Sequence, residues 1–178
     1  MTHRIKAFVA LAIALGIALS SPATTQAQPY HHRARKFQVG LGGGFIADPG
    51  GGSFGFDFSY YFINLIAISP RFSAAFANNK NFFNLMVDAR FTFELTDVPS
   101  ALRPLKPFVG GGIGLVIADF EGVDVKAAFS PEVIFGAEYF VNNEISLGTQ
   151  MNFFWLVDDV FDESFVFQWH LLTVRYLF

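Results

Sequence analysis

The sequence predicts an all-β chain, an eight-stranded antiparallel up-and-down transmembrane β-barrel. Three observations carry that prediction. Side-chain character alternates with a period of two along successive segments of about ten residues, the signature of strands with two unlike faces. Of 178 residues, 52% are hydrophobic and only 15% are charged, too few to keep the polar faces of so many strands dissolved. The longest uninterrupted apolar run, Ala7 to Leu19, is 13 residues, short of the roughly 20 that a spanning helix needs.

The run Ala7 to Leu19 follows Arg4 and Lys6 and precedes a small, polar stretch in which Thr25-Gln26-Ala27 approximates a cleavage site. This reads as a secretory signal peptide over residues 1–27, and a mitochondrial transit peptide would need several Arg and a polar face instead. A short periplasmic lead over 28–35 and one barrel domain over 36–178 are expected to follow. Without the leader, ten basic residues face fifteen acidic ones, so nucleic acid finds no basic surface to bind. The chain has no Cys, which excludes disulfides, thiolate metal sites and a Cys nucleophile.

The strands follow in order. Phe37 to Ile46 sets Phe37, Val39, Leu41 and Phe45 against Gln38, Gly40, Gly42 and Gly44. Phe54, Phe56, Phe58 and Tyr60 oppose Gly55, Asp57 and Ser59. Ile66, Ile68, Phe72 and Phe76 oppose Ala67, Ser69, Arg71 and Ser73. The clearest case sets Phe83, Leu85, Val87, Ala89, Phe91 and Phe93 against Asn84, Met86, Asp88, Arg90 and Thr92. A helix would scatter that set around its axis. Val109, Ile113, Leu115 and Ile117 then oppose Gly110, Gly112 and Gly114, and Phe129, Val133, Phe135 and Tyr139 oppose Ser130, Glu132, Gly136 and Glu138. Ile145, Leu147, Met151, Phe153 and Trp155 oppose Ser146, Gly148, Gln150 and Asn152. The eighth strand, Phe165 to Phe178, alternates least clearly; extrapolating it places Phe167, Trp169 and Leu171 inside. Eight antiparallel strands can close and abolish their edges.

Connections also alternate, with short turns after the second and sixth strands and longer loops over 47–53, 77–81, 118–125 and 157–164, as in a bacterial outer-membrane barrel. The stretch 96–104, with Pro99 and Pro104, is the exception. The polar positions are mostly Gly, Ser, Asn and Thr with about one charge per strand, which suits a crowded lumen rather than a solvated surface. In lipid every backbone polar group must find a partner within the protein, so the sheet must close.

The ending Val174-Arg175-Tyr176-Leu177-Phe178 places Val174, Tyr176 and Phe178 at alternate positions. With Pro107 to Gly114 and Gly136 to Phe140, it makes residues 36–178 resemble the small outer-membrane β-barrel superfamily that includes the OmpA transmembrane domain, OmpX and OmpW. The resemblance implies that Val174, Tyr176 and Phe178 form an assembly signal read by the barrel-assembly machinery. It also implies residence in the outer membrane of a Gram-negative bacterium, among its lipid and lipopolysaccharide. Unlike full-length OmpA, the sequence shows no peptidoglycan-binding domain after the last strand.

Nine charges fall on the inward face: Asp57, Asp88, Glu94, Glu132 and Glu138 against Arg71, Arg90, Lys106 and Arg175. Ionisable groups inside a membrane protein must be paired or wet, so a lumen-plugging ion-pair network is expected; a gated ion path or a tuned carboxylate pair is the alternative. Tyr60, Phe62, Tyr139, Trp155 and Tyr176, near strand ends, are expected to form aromatic girdles. Two acidic loop groups, Asp119, Glu121 and Asp124, and Asp158, Asp159, Asp162 and Glu163, match no EF-hand spacing and read as a solvated rim. His31-His32 lacks a third metal ligand, and neither Gly40–Gly44 nor Gly110–Gly114 completes a nucleotide-binding loop. No metal and no cofactor are expected. A lipid-A deacylase would need His-x-Ser where His170 is followed by Leu172, so the expectation is a non-catalytic barrel with a structural or surface-interaction role. An OmpW-like channel for small apolar molecules, lined by Phe108, Val116, Ile134, Phe167, Trp169 and Leu171, is the alternative.

Overall fold

The computed structural model describes residues 36–47, 50–77, 80–120, 125–157 and 165–178. Eight strands run through them: β1 (Phe37–Ile46), β2 (Gly51–Ile63), β3 (Ile66–Ala77), β4 (Lys80–Thr92), β5 (Leu105–Phe120), β6 (Lys126–Phe140), β7 (Ile145–Trp155) and β8 (Phe165–Leu177). Each pairs antiparallel with its neighbour in sequence, and β1 pairs with β8 from Gln38↔Leu177 to Ile46↔Gln168, closing the barrel. Among the described residues no helix is long and apolar enough to cross a membrane. The proposed leader, the lead over 28–35 and most of the acidic loop residues lie outside the described residues; Asp119 is exposed near the end of β5.

The alternation decides which side of the sheet meets lipid. Leu41, Phe56, Leu85, Ile113, Phe135 and Leu171 point outward and are 43% to 64% exposed. Their neighbours in sequence point into the cylinder, except Leu172 after Leu171. So large an apolar surface is incompatible with water and suits acyl chains.

Two irregularities shape the wall. Pro70 sits mid-strand in β3 without an N–H to donate, and the β2–β3 ladder skips from Asp57↔Arg71 to Tyr60↔Ile68. On the inner side the Ser59 and Ser69 hydroxyls bridge this gap at 2.7 Å. The second irregularity is a bulge in β8: β1 residues Gly43 and Gly44 face Leu172 and His170, so Leu171 is the extra residue. A single extra residue inverts the alternation beyond it. Thr173 and Arg175 therefore point inward, but so do Val166, Gln168 and His170. The expectation that Phe167, Trp169 and Leu171 line the lumen is corrected for this reason: they face outward.

Strands also extend further than the sequence indicates. The start of β1 and the end of β8 share one rim, the terminal rim, with connections 64–65, 93–104 and 141–144. The ends of β1, β3, β5 and β7 and the starts of β2, β4, β6 and β8 define the opposite, distal rim. The longest connection, 93–104 with a 3-10 turn over Ser100–Leu102, thus lies on the terminal rim, and the expected contrast between short and long rims is weaker than the sequence suggests.

Candidate functional site: the barrel lumen

Eight of the nine predicted lumen charges are buried: Arg71, Arg90, Lys106 and Arg175 balance Asp57, Asp88, Glu132 and Glu138, each 8% exposed or less. Glu94 is corrected. It follows the end of β4, its side chain is 48% exposed, and it holds Lys106 at 3.0 Å at the terminal mouth rather than inside the lumen.

The first cluster, nearer the terminal rim, is built on Glu138. Its Oε1 accepts from Arg90 Nη1 at 2.9 Å and Arg175 Nη1 at 3.0 Å, and its Oε2 from Gln38 at 3.1 Å and Ser146 at 3.2 Å. Arg175 Nε also donates to Asp57 Oδ1 at 3.2 Å, and Arg175 Nη2 to Gln150 at 2.7 Å. Arg90 Nη2 donates to Gln38 at 2.7 Å and to the Tyr61 hydroxyl. The Phe108 ring lies beside both guanidinium groups, its centroid 4.9 Å from Arg90 and 5.8 Å from Arg175, where its quadrupole attracts both cations.

At mid-height Arg71 organises the second cluster. It donates to Glu132 and Asn152, lies 3.4 Å from Asp88 and stacks 5.8 Å over Phe154. Gln150 joins the clusters by donating to Asn152 at 2.7 Å. Backbone glycines make this density possible. A Cβ on Gly112 would strike Asp88, one on Gly136 would strike Phe108, and one on Gly55 would lie 2.6 Å from the His170 ring. His170 is buried, with its ring against Gly42 and Gly55.

Above His170 the lumen changes character. Ile46, Ala75, Phe82, Met86, Val116, Ala118, Phe154, Leu156 and Val166 form one buried apolar cluster, a collar toward the distal end. Sequence reasoning missed this collar. It also missed Tyr61, although inward Asp57 and Ser59 imply it by parity. Phe108, Val116 and Ile134 do point inward as expected. They form no continuous apolar conduit, because Phe108 is enclosed by guanidinium groups and Val116 belongs to the collar.

On the outer surface, Tyr60, Phe62, Tyr139 and Tyr176 lie toward the terminal rim and Trp155 lies at the distal rim. A chain of rings runs from Phe62 through Tyr60, Phe37 and Phe178 to Tyr176, with centroids 5.0 to 6.3 Å apart. Trp155 meets Phe165 at 5.7 Å. Val174, Tyr176 and Phe178 all face outward, 43%, 45% and 51% exposed.

No protein-family model matches the chain, and no curated protein is significantly similar to it in sequence. Solved structures do match. Neisserial surface protein A superposes with a TM-score of 0.62 at 17% identity, covering 80% of this chain and 96% of that one. The N-terminal β-barrel domain of Pseudomonas aeruginosa OprF gives 0.60 at 11% identity, covering 81% and 98%. The outer membrane enzyme PagL gives 0.51 at 13% identity, covering 78% and 97%. The chain therefore has the small eight-stranded outer-membrane β-barrel fold. PagL also corrects the expectation that the chain is not an enzyme: this fold accommodates an enzyme, so the barrel is no argument against catalysis. At 13% identity no specific activity carries over.

Proposed function

We propose that this protein is an outer-membrane barrel of a Gram-negative bacterium that serves as a structural scaffold and surface-interaction platform, with its lumen sealed. The terminal rim, where β1 starts and β8 ends, faces the periplasm, and the distal rim faces the exterior and its lipopolysaccharide. The aromatic rings at the two rims then sit at the membrane interfaces. Val174, Tyr176 and Phe178, on the outer face of the closing strand, are available to the assembly machinery.

One observation carries this reading: the cylinder is filled along its length by side chains, as an eight-stranded barrel allows, charged toward one end and apolar at the other. The outward position of Phe167, Trp169 and Leu171 removes half of the lining an apolar conduit was expected to use. Planar-bilayer recording of the purified protein tests the proposal. The expected result is no discrete conductance; reproducible single-channel openings of the unaltered protein would overturn it.

A further inference from the structure

We propose that the mouth of the lumen at the terminal rim binds a small carboxylate bearing an apolar tail. A recess of about 50 Å³ opens there, several times the roughly 10–15 Å³ that a single water requires. Its lining has two parts. Lys36, Asn64, Thr92 and Lys106 supply polar groups, while Phe140 and Leu177, both buried, supply an apolar wall.

The charges decide the ligand. Glu138 also lines the recess, and its carboxylate is neutralised there by Arg90 and Arg175. Lys106 is held by Glu94. Among the described residues, the Lys36 ammonium has no ion-pair partner, and neither the Thr92 hydroxyl nor the Asn64 amide makes a side-chain hydrogen bond. The recess therefore has one uncompensated positive charge, two free polar groups and a greasy wall. A monocarboxylate neutralises Lys36 through a charge-assisted contact, accepts from Thr92 and Asn64, and rests its tail on Phe140 and Leu177. A cation is repelled, and a neutral amide forgoes the charge. Two sources share this chemistry: a free short-chain acid, or the head of a fatty acid released from the membrane.

The test uses the barrel in nanodiscs of phosphatidylcholine, with the amide resonances of Lys36, Asn64 and Thr92 followed during titration. Butyrate should produce saturable shifts and butyramide none. Lys36→Met should weaken butyrate binding roughly tenfold or more, the size of one lost charge-assisted contact, and Thr92→Val by a smaller factor. Dodecanoate binding more tightly than butyrate identifies the membrane source; weaker binding identifies the free acid. Equal binding of butyrate and butyramide overturns the proposal, as does unchanged affinity in Lys36→Met. The outcome is separable from that of the sealed lumen, because binding at the mouth is read without any conductance.

Discussion

The two ends of the lumen fill the same cylinder by opposite means. From mid-height to the terminal rim, Arg71, Arg90 and Arg175 are each held by carboxylates and amides on other strands. At the distal end Ile46, Val116, Leu156 and Val166 carry no polar side-chain group and fill volume beside the Phe82 and Phe154 rings. Removing charge from water is costly, and the polar end recovers that cost through Coulomb attraction and hydrogen bonds that depend on complete pairing. The apolar end depends on close packing. One end is therefore sensitive to chemistry and the other to size.

The largest expected effect tests the charged end. Arg175→Leu leaves Asp57 and Glu138 each short of a cation, and denaturant unfolding in micelles should show a loss of about 3–5 kcal/mol. A loss below about 1 kcal/mol would mean that the two ends do not differ in the way described. Next, Phe82→Ala opens a cavity in the collar and should cost about 3 kcal/mol, whereas Phe82→Leu, which keeps most of the volume, should cost less than about 1.5 kcal/mol. The contrast sharpens if Arg90→Lys is the more damaging swap, since an ammonium cannot reproduce the contacts of the guanidinium to Glu138, Gln38 and Tyr61.

A smaller effect is expected at the glycines. Gly136→Ala drives a methyl group into Phe108 and should cost about 1–3 kcal/mol. Gly52→Ala meets nothing within 4 Å and should be silent to within about 0.5 kcal/mol on the same unfolding curve. The smallest change belongs to Glu94→Gln at the half-exposed mouth, where screening limits the pair with Lys106 to roughly 0–1 kcal/mol. A change there as large as that of Arg175→Leu would show that the mouth is part of the buried network.

Much of this was legible because period-two alternation is a local signal. The span Phe37–Ile46 and the faces of β4 follow from it residue by residue, and so does the inward position of eight of the nine charges. Where alternation is interrupted, the sequence misleads. The bulge at Leu171 leaves no mark in composition, and parity carried past it puts Phe167, Trp169 and Leu171 on the wrong face. The collar did leave a mark: apolar residues double at Phe45-Ile46, Phe82-Phe83, Val116-Ile117, Phe153-Phe154 and Phe165-Val166. Each doublet supplies one side chain to the lipid and one to the lumen, and all five lie toward the distal rim.

Sequence alone determined that the chain forms alternating strands, that their apolar faces turn toward lipid, and that the sheet closes, because these follow from side-chain period and from the cost of an unpaired backbone in hydrocarbon. Which cation meets which carboxylate, where the register slips, and that an apolar collar gathers at one end were decided only in the tertiary structure. Those features depend on the relative height of side chains on strands up to 118 residues apart in sequence, as for Arg175 and Asp57, and that height is set by closure of the barrel as a whole.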